Sequence, residues 1–491
     1  MIRFGTAGWR AVIADEFTFL NVRKVAHTIS GYIKESPEYG VNSQEYEHFL
    51  AGKPKPVIPT VIVGFDTRFL SDEFAHEIAQ VFASDGVKTL ISKSDLPTPV
   101  VAWAIRDRGA IGGVMLTASH NPGQYNGFKW MPYWGGAAVP AITDDIERRV
   151  ELIGHHAVKM MSLDRSLRES WIEEVDFKAG YFKHIHSLLD VKAIKKAKLK
   201  VGIDNMHGSA RNYLRPLLES LGVEVISLHE DRDVLYGGVS PEPSEDRLKE
   251  LAELVVKKKL DLGLANDGDA DRFGIFDSGA RFISCNEVLA LAVEHLVVNR
   301  GMKGKIARSV MTSHFVDAVA KSHGLDTRET PVGFKFIGEL LRTGQYLLGG
   351  EESGGLSIQG HVPDKDGLLA CLLMLELRAM EGKPLTAVRD RLFKKVGEFH
   401  NVRLNFKLER MREMMELQER LRVKPPLELA GGSVWRIDEA DGFKFILRDG
   451  SWLGLRPSGT EPAFRVYAEA HTAKRLNELV DAGKKLLQGK F

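Results

Sequence analysis

Val57-Ile58-Pro59-Thr60-Val61-Ile62-Val63-Gly64-Phe65 is a β-rich run, and the residues after it alternate in character. Residues 72–84 read as an amphipathic helix and 87–92 as a second strand. A helix around 100–108 then leads to a third strand at 110–116. Strands that alternate with helices of this length indicate βαβ units and a largely parallel sheet.

Working outward, the same alternation restarts twice. A strand at 199–203 is followed by a helix at 209–221, a strand at 223–228, a charged helix at 245–259 and a strand at 260–265. It begins again with a helix over 287–299 and a strand near 305–311, and continues to about 380. These are successive α/β blocks without a short-period repeat. Beyond them the pattern changes. A helix over 408–422, the break Lys424-Pro425-Pro426, several short strands and a helix over 473–487 predict a smaller α+β domain. The polar stretch 143–174 reads as the connection between the first block and the second.

The length, 491 residues with 44% hydrophobic and 27% charged, suits roughly three or four globular domains. Lys plus Arg number 67 against 66 Asp plus Glu, a net charge of +1, which argues against a dedicated nucleic-acid binder or a polybasic membrane anchor. Cys285 and Cys371 are too few for a disulfide framework or a four-cysteine zinc site, and they point to a reducing cytoplasm. The start Met1-Ile2-Arg3-Phe4-Gly5 lacks the apolar run of a signal peptide. The longest apolar run, 368–375, is too short to span a bilayer. The expectation is a soluble cytoplasmic protein.

Four segments carry chemistry. Thr117-Ala118-Ser119-His120-Asn121-Pro122 follows directly on a strand, where α/β folds expose reactive groups. Ser119 is a candidate nucleophile, although neighbouring side chains such as His120 usually point apart, which disfavours a serine-hydrolase dyad. The plain alternative is a capped turn. Asp267-Gly268-Asp269-Ala270-Asp271-Arg272 also follows a strand. Its alternating carboxylates place hard oxygen ligands around one point, which suits Mg²⁺. An EF-hand is excluded, because Arg272 and Ser278 stand where it needs Gly and Glu. The bland reading there is an acidic surface turn.

Gly350-Glu351-Glu352-Ser353-Gly354-Gly355, with His361-Val362-Pro363-Asp364-Lys365-Asp366-Gly367 after it, offers paired acceptors for vicinal hydroxyls and a lysine for a phosphate. A simple connecting loop is the alternative. In Arg456-Pro457-Ser458-Gly459-Thr460-Glu461-Pro462, a glycine lets backbone N–H groups converge on an anion while Ser, Thr and Arg add donors. No Gly-x-x-x-x-Gly-Lys-[Ser/Thr] string occurs, which disfavours a P-loop nucleotidase. A hydroxyl, a metal site, hydroxyl acceptors and a phosphate cradle thus lie in different blocks, and a cleft at their junction would unite them.

Phe4-Gly5-Thr6-Ala7-Gly8-Trp9-Arg10 and these four segments, in this order, resemble the α-D-phosphohexomutase superfamily, which includes phosphoglucomutases and phosphomannomutases. The resemblance covers nearly the whole chain. It implies an α/β fold of three related domains with mixed sheets plus a smaller α+β C-terminal domain, heart-shaped around a central cleft. On that reading 1–172 carries the phosphoserine loop, 173–283 the metal loop, 284–397 the sugar loop and 398–491 the phosphate loop.

By the same resemblance Ser119 carries the phosphoryl group and, with Asp267, Asp269 and Asp271, binds Mg²⁺. Arg272 neutralises charge near the phosphoserine and Arg10 lies close to it. His120 and Lys129 are alternative proton-transfer groups. Glu351 and Ser353 meet sugar hydroxyls, and Lys365 is a basic substrate contact. Arg456, Ser458, Gly459 and Thr460 hold the non-reacting phosphate. Gly333 and Lys335, in Pro331-Val332-Gly333-Phe334-Lys335, belong to the loop that distinguishes two binding orientations.

The implied activity interconverts hexose 1-phosphate and hexose 6-phosphate through a phosphoserine and a bisphosphorylated sugar, with hexose 1,6-bisphosphate as activator. Partners would be small sugar phosphates, with no nucleic acid and no membrane, in a monomer or a dimer. Glu351-Glu352-Ser353 resembles glucose-type members, with mannose or dual specificity as the alternative. A non-catalytic sugar-phosphate binder would need neither Ser119 nor all three aspartates, and a phosphatase would release free phosphate. The aromatic stretch Trp130-Met131-Pro132-Tyr133-Trp134 has no functional assignment and is expected to pack against the first domain.

Overall fold

The computed structural model describes residues 2–488 apart from 6–7, 52–55, 155–156 and 459–461. Thr6, Ala7, Gly459, Thr460 and Glu461 of the segments above therefore lie outside the described residues.

The β-rich run becomes the strand Thr60–Phe65, parallel to Lys88–Ser92 on one side and to Gly112–Leu116 on the other. Tyr125–Pro132 then turns back antiparallel on Gly112–Leu116, and Trp9–Val12 adds to its far edge. The second sheet repeats this plan. Lys200–Asp204 lies between parallel neighbours Glu224–Leu228 and Leu262–Asn266, and Phe273–Asp277 returns antiparallel on the latter. In the third, Lys305–Ser309 lies between Thr327–Thr330 and Tyr346–Glu351, and Gly355–Ile358 returns antiparallel. Mixed sheets of one design thus occur three times. The fourth is wholly antiparallel, with Trp452–Pro457 and Phe443–Leu447 at its centre.

The central parallel strands are buried, as sheets covered on both faces require. The 368–375 run explains itself: Gly367–Glu381, capped by Asp366, is a helix buried from Gly367 to Leu377 in the middle of the molecule. One apolar core runs from Ile62 and Trp103 of the first domain through Tyr181 and Leu217 of the second to Leu289 and Leu372 of the third. The fourth domain has its own core around Leu417, Phe445 and Leu479. Among the described residues no helix is long and apolar enough to cross a membrane.

The stretch 143–174 is not a linker. It supplies most of the helix Pro140–Ile153, the short helix Leu163–Arg168 and the strand Ile172–Val175, which pairs parallel to Lys88–Ser92 and completes the first sheet. It reads as polar because the helix buries only Ile142, Ile146 and Val150 and the edge strand exposes Glu173 and Glu174. The expected boundary at 172/173 falls inside that strand. The charged helix starts only at Lys249, and 209–221 divides into a 3₁₀ turn, Ser209–Asn212, and the helix Leu214–Ser220. Trp130, Tyr133 and Trp134 join the first domain's core, and Trp134 also lies 4.2 Å beneath the Arg342 guanidinium of the third domain.

Candidate active site

Each chemical segment joins a strand to its antiparallel partner. Ser119 lies between Gly112–Leu116 and Tyr125–Pro132, Asp267 to Arg272 between Leu262–Asn266 and Phe273–Asp277, Glu352 to Gly354 between Tyr346–Glu351 and Gly355–Ile358, and Ser458 between Trp452–Pro457 and Ala463–Ala470.

Ser119 is fully buried and its backbone is left-handed, with φ 52°. Its N–H donates to Thr117 Oγ1 (2.8 Å) and its Oγ–H donates across the domain seam to Asp267 Oδ2 (2.7 Å). The left-handed turn also brings His120 Nδ1 to 3.4 Å from Ser119 Oγ, so these neighbouring side chains do not point apart. Asp267, Asp269 and Asp271 present carboxylate oxygens within 4.8 Å of one another. Among the described residues, the second oxygens of Asp269 and Asp271 are buried without a hydrogen-bond partner. Hard, crowded, partly orphaned oxygens fit a small divalent cation such as Mg²⁺.

Burial, together with Asp269 and Asp271, pushes the Asp267 carboxyl up to about 8. Burial works the same way on Asp271, but Lys129, Lys365 and Arg272 outweigh it and hold that carboxyl well below its ordinary range. Lys129 Nζ donates to Asp269 Oδ2 (2.6 Å) and Asp271 Oδ2 (3.0 Å), and Lys365 Nζ reaches Asp271 Oδ2 at 2.8 Å. Thr98 Oγ donates to Asp269 Oδ2 at 2.6 Å. Against burial, the two carboxylates keep the Lys129 ammonium above its ordinary value. His120 is driven the other way, well below 6.5, by Arg272, burial and Arg10. Arg10 Nη1 donates to Asn121 Oδ1 (2.9 Å), and among the described residues Arg272 keeps a buried Nε with no hydrogen-bond partner. Unspent cationic donors beside a buried serine hydroxyl make a place for a phosphoryl group.

The third and fourth domains contribute a second cluster. Glu351 Oε1 accepts from Gly333 N (2.7 Å), and burial with Glu352 pushes its carboxyl up to about 7. Glu352 turns away, its Oε2 accepting from Ser309 Oγ at 2.7 Å. Ser353 is half-buried in the same turn. Lys335 is half-buried, with its ammonium 5.4 Å over the Phe336 ring. Arg456 Nε pairs with Asp441 Oδ2 at 2.8 Å, and Ser458 N donates to Ala463 O.

Arg68 escaped the reading of the sequence. Its buried guanidinium donates to the carbonyls of Ser119 (2.6 Å), Asn121 (2.7 Å), Pro122 and Tyr125 (2.8 Å each), and pairs with Asp66. Tyr236 of the second domain lies against it, 5.0 Å from the guanidinium, and accepts from Thr67 Oγ1. Asp66-Thr67-Arg68 in a polar turn offers no signal unless those carbonyls are known.

Four family models for phosphoglucomutase/phosphomannomutase match the chain: α/β/α domain I over 48–156, domain II over 179–279, domain III over 284–396 and the C-terminal domain over 404–485. A phosphoglucomutase/phosphomannomutase of Thermococcus kodakarensis is 30% identical over 99% of this chain and 98% of its own. A probable phosphoglucosamine mutase of Methanothermobacter thermautotrophicus is 34% identical over 84% of this chain and 87% of its own. Among solved structures, a putative phosphomannomutase from Thermus thermophilus superposes with a TM-score of 0.83 at 29% identity, covering 99% of both chains.

Proposed function

The chain belongs to the phosphoglucomutase/phosphomannomutase family of isomerase-class phosphotransferases, and on that premise we propose that it interconverts glucose 1-phosphate and glucose 6-phosphate through phosphorylated Ser119. The observation that carries this reading is the Ser119 hydroxyl held 2.7 Å from Asp267 in a buried nest of three carboxylates.

Phosphorylated Ser119 gives its phosphoryl group to the free hydroxyl of the sugar monophosphate. The Ser Oγ–P bond breaks, a sugar O–P bond forms, and the hydroxyl proton passes to a base. His120 is the base we favour, because its ring nitrogen faces Ser119 Oγ while the Lys129 ammonium is engaged with Asp269 and Asp271. The bisphosphate then presents its other phosphoryl group to Ser119 and the transfer reverses. Asp267, Asp269, Asp271 and Ser119 would hold Mg²⁺, which when bound supplies charge neutralisation at the transferring group. Arg10 and Arg272 aim fixed donors at the same place. Glu351 and Ser353 would receive sugar hydroxyls, and Lys365, beside Asp271, would be a basic substrate contact. Gly333 and Lys335 would distinguish the two binding orientations, and Arg456 and Ser458, with Gly459 and Thr460, would hold the distal phosphate.

Glucose is favoured over mannose and glucosamine by the Glu351-Glu352-Ser353 string. The test is an assay of glucose, mannose and glucosamine 1-phosphates with Mg²⁺ and a trace of glucose 1,6-bisphosphate. We expect turnover of glucose 1-phosphate that Ser119→Ala abolishes while the thermal melt is kept. Full activity in Ser119→Ala would refute the phosphoserine, and a faster rate with another sugar would refute the glucose preference.

A further inference from the structure

Two consecutive amides of the 331–335 loop are bonded to carboxylates of different domains. Gly333 N donates to Glu351 Oε1 in the sugar turn, and Val332 N donates to Asp441 Oδ2 at 3.1 Å. Asp441 belongs to the fourth domain, in the turn between the strands Gly432–Asp438 and Phe443–Leu447. The same Oδ2 accepts from Arg456 Nε. Asp441 therefore touches both the loop whose next amide holds Glu351 and the arginine of the phosphate segment.

The position of Asp441 is firmly set. The residue after it, Gly442, has φ 89°, and a Cβ there would lie 2.5 Å from Leu455 O, so the turn is pressed against the strand that carries Arg456. The ion pair is partly desolvated, with side chains 16% and 24% exposed, so screening weakens it less than a surface pair. Because Asp441 engages Nε, it fixes the plane of the guanidinium, whose Nη groups would meet an incoming phosphate. Its charge also competes with that phosphate. On the other side, a hydroxyl that engages Glu351 acts on the carboxylate to which Gly333 N is bonded, one residue from the amide that holds Asp441.

We propose that Asp441 is a positioning residue that couples sugar recognition at Glu351 to phosphate capture at Arg456 across the junction of the third and fourth domains. The proposal rests on the reading of the site as a hexose-phosphate site. It assigns Asp441 opposite effects on two ligands. For a bare phosphate it is a competitor for Arg456. For a sugar phosphate it is the tie that lets both halves of the ligand contribute together.

The experiment is titration calorimetry of the Mg²⁺-loaded full chain with inorganic phosphate and with glucose 1-phosphate, on wild type, Asp441→Ala and Asp441→Asn, with melts to establish folding. In Asp441→Ala we expect phosphate to bind as tightly as in wild type or up to about threefold tighter. Glucose 1-phosphate should weaken about tenfold, the scale of one lost charge-assisted interaction. Asp441→Asn keeps an acceptor for Val332 N and should retain most of the sugar's contribution. Equal weakening of both ligands would reduce Asp441 to a prop for Arg456 and overturn the coupling, as would no change in either. Wild type that binds phosphate yet gains nothing from the sugar would overturn the hexose-phosphate reading itself, and the proposal with it.

Discussion

Ser119 holds a left-handed backbone at φ 52°, a geometry that costs an ordinary L-residue roughly 1–2 kcal/mol, so its surroundings must impose it. Arg68 is what imposes it. The planar fork of one guanidinium spans the carbonyls of Ser119, Asn121, Pro122 and Tyr125, and Asp66 neutralises it at zero exposure. A lysine at this place would keep the charge but has only three donors at a single point, so some of those buried carbonyls would lose their partner. Arg68→Lys is therefore expected to misplace Ser119 and lower kcat about a hundredfold, with a smaller change in KM. Steady-state rates and the mass of the phosphorylated protein would check this. A kcat within threefold of wild type would mean that the loop keeps its shape without the fork.

At the scale of elements, the three α/β sheets place their functional turns in one equivalent position, where the last parallel strand hands over to an antiparallel return. The serine and aspartate turns then meet face to face: a Cβ on Gly268 would lie 2.7 Å from Ser119 O. Gly268→Ala should push the aspartate turn away from the serine while leaving both sheets intact. The expected result is about a tenfold rise in the Mg²⁺ concentration needed for half activity, with a melting temperature near that of wild type. An unchanged Mg²⁺ dependence would show that the turns have room to spare. These turns were legible in the sequence because each is a contiguous string of reactive residues directly after a buried β run, and the helix Ala473–Leu487 was legible because Thr472 caps a clean amphipathic pattern. Arg68, Tyr236 and Asp441 were not. Their work consists of contacts made 51, 169 and 109 positions away, between residues that are individually ordinary. The edge strand Ile172–Val175 was missed for a different reason: half exposed, it carries too few apolar residues to show a period.

The molecule as a whole divides unevenly. The first three domains share one apolar core, whereas the fourth meets the third through the small cluster of Val310, Met311, Ile446, Trp452 and Tyr467. A cavity of about 600 Å³, lined in part by Arg308, His314, Glu329, Trp435 and Arg436, runs along the same junction. A domain attached this way can move as a unit more cheaply than the other three, which suits closure over a ligand. Lys444 reports on the junction because it is fully buried there. Its Nζ donates to Val310 O (2.6 Å) and Glu329 Oε2 (3.3 Å), lies 3.0 Å from His314 Nε2 and sits 4.3 Å over the Trp452 ring. Burial, reinforced by Arg308 and opposed by Glu329, Glu469 and Asp317, lowers its pKa to about 8, from an ordinary 10.5. Below about pH 8 both folded and unfolded chains hold the proton, and the cost of burying the charge is present in full. Between 8 and 10.5 the unfolded chain binds the proton more strongly, so this group's contribution to stability rises with pH. Lys444→Met removes the charge while Arg308 continues to pair Glu329 at 2.6 Å. Denaturant melts of the two proteins should therefore show wild type gaining on the variant by on the order of 2 kcal/mol between pH 7.5 and 10. A difference that stays flat over that window would mean that water reaches Lys444 and that the fourth domain already stands open.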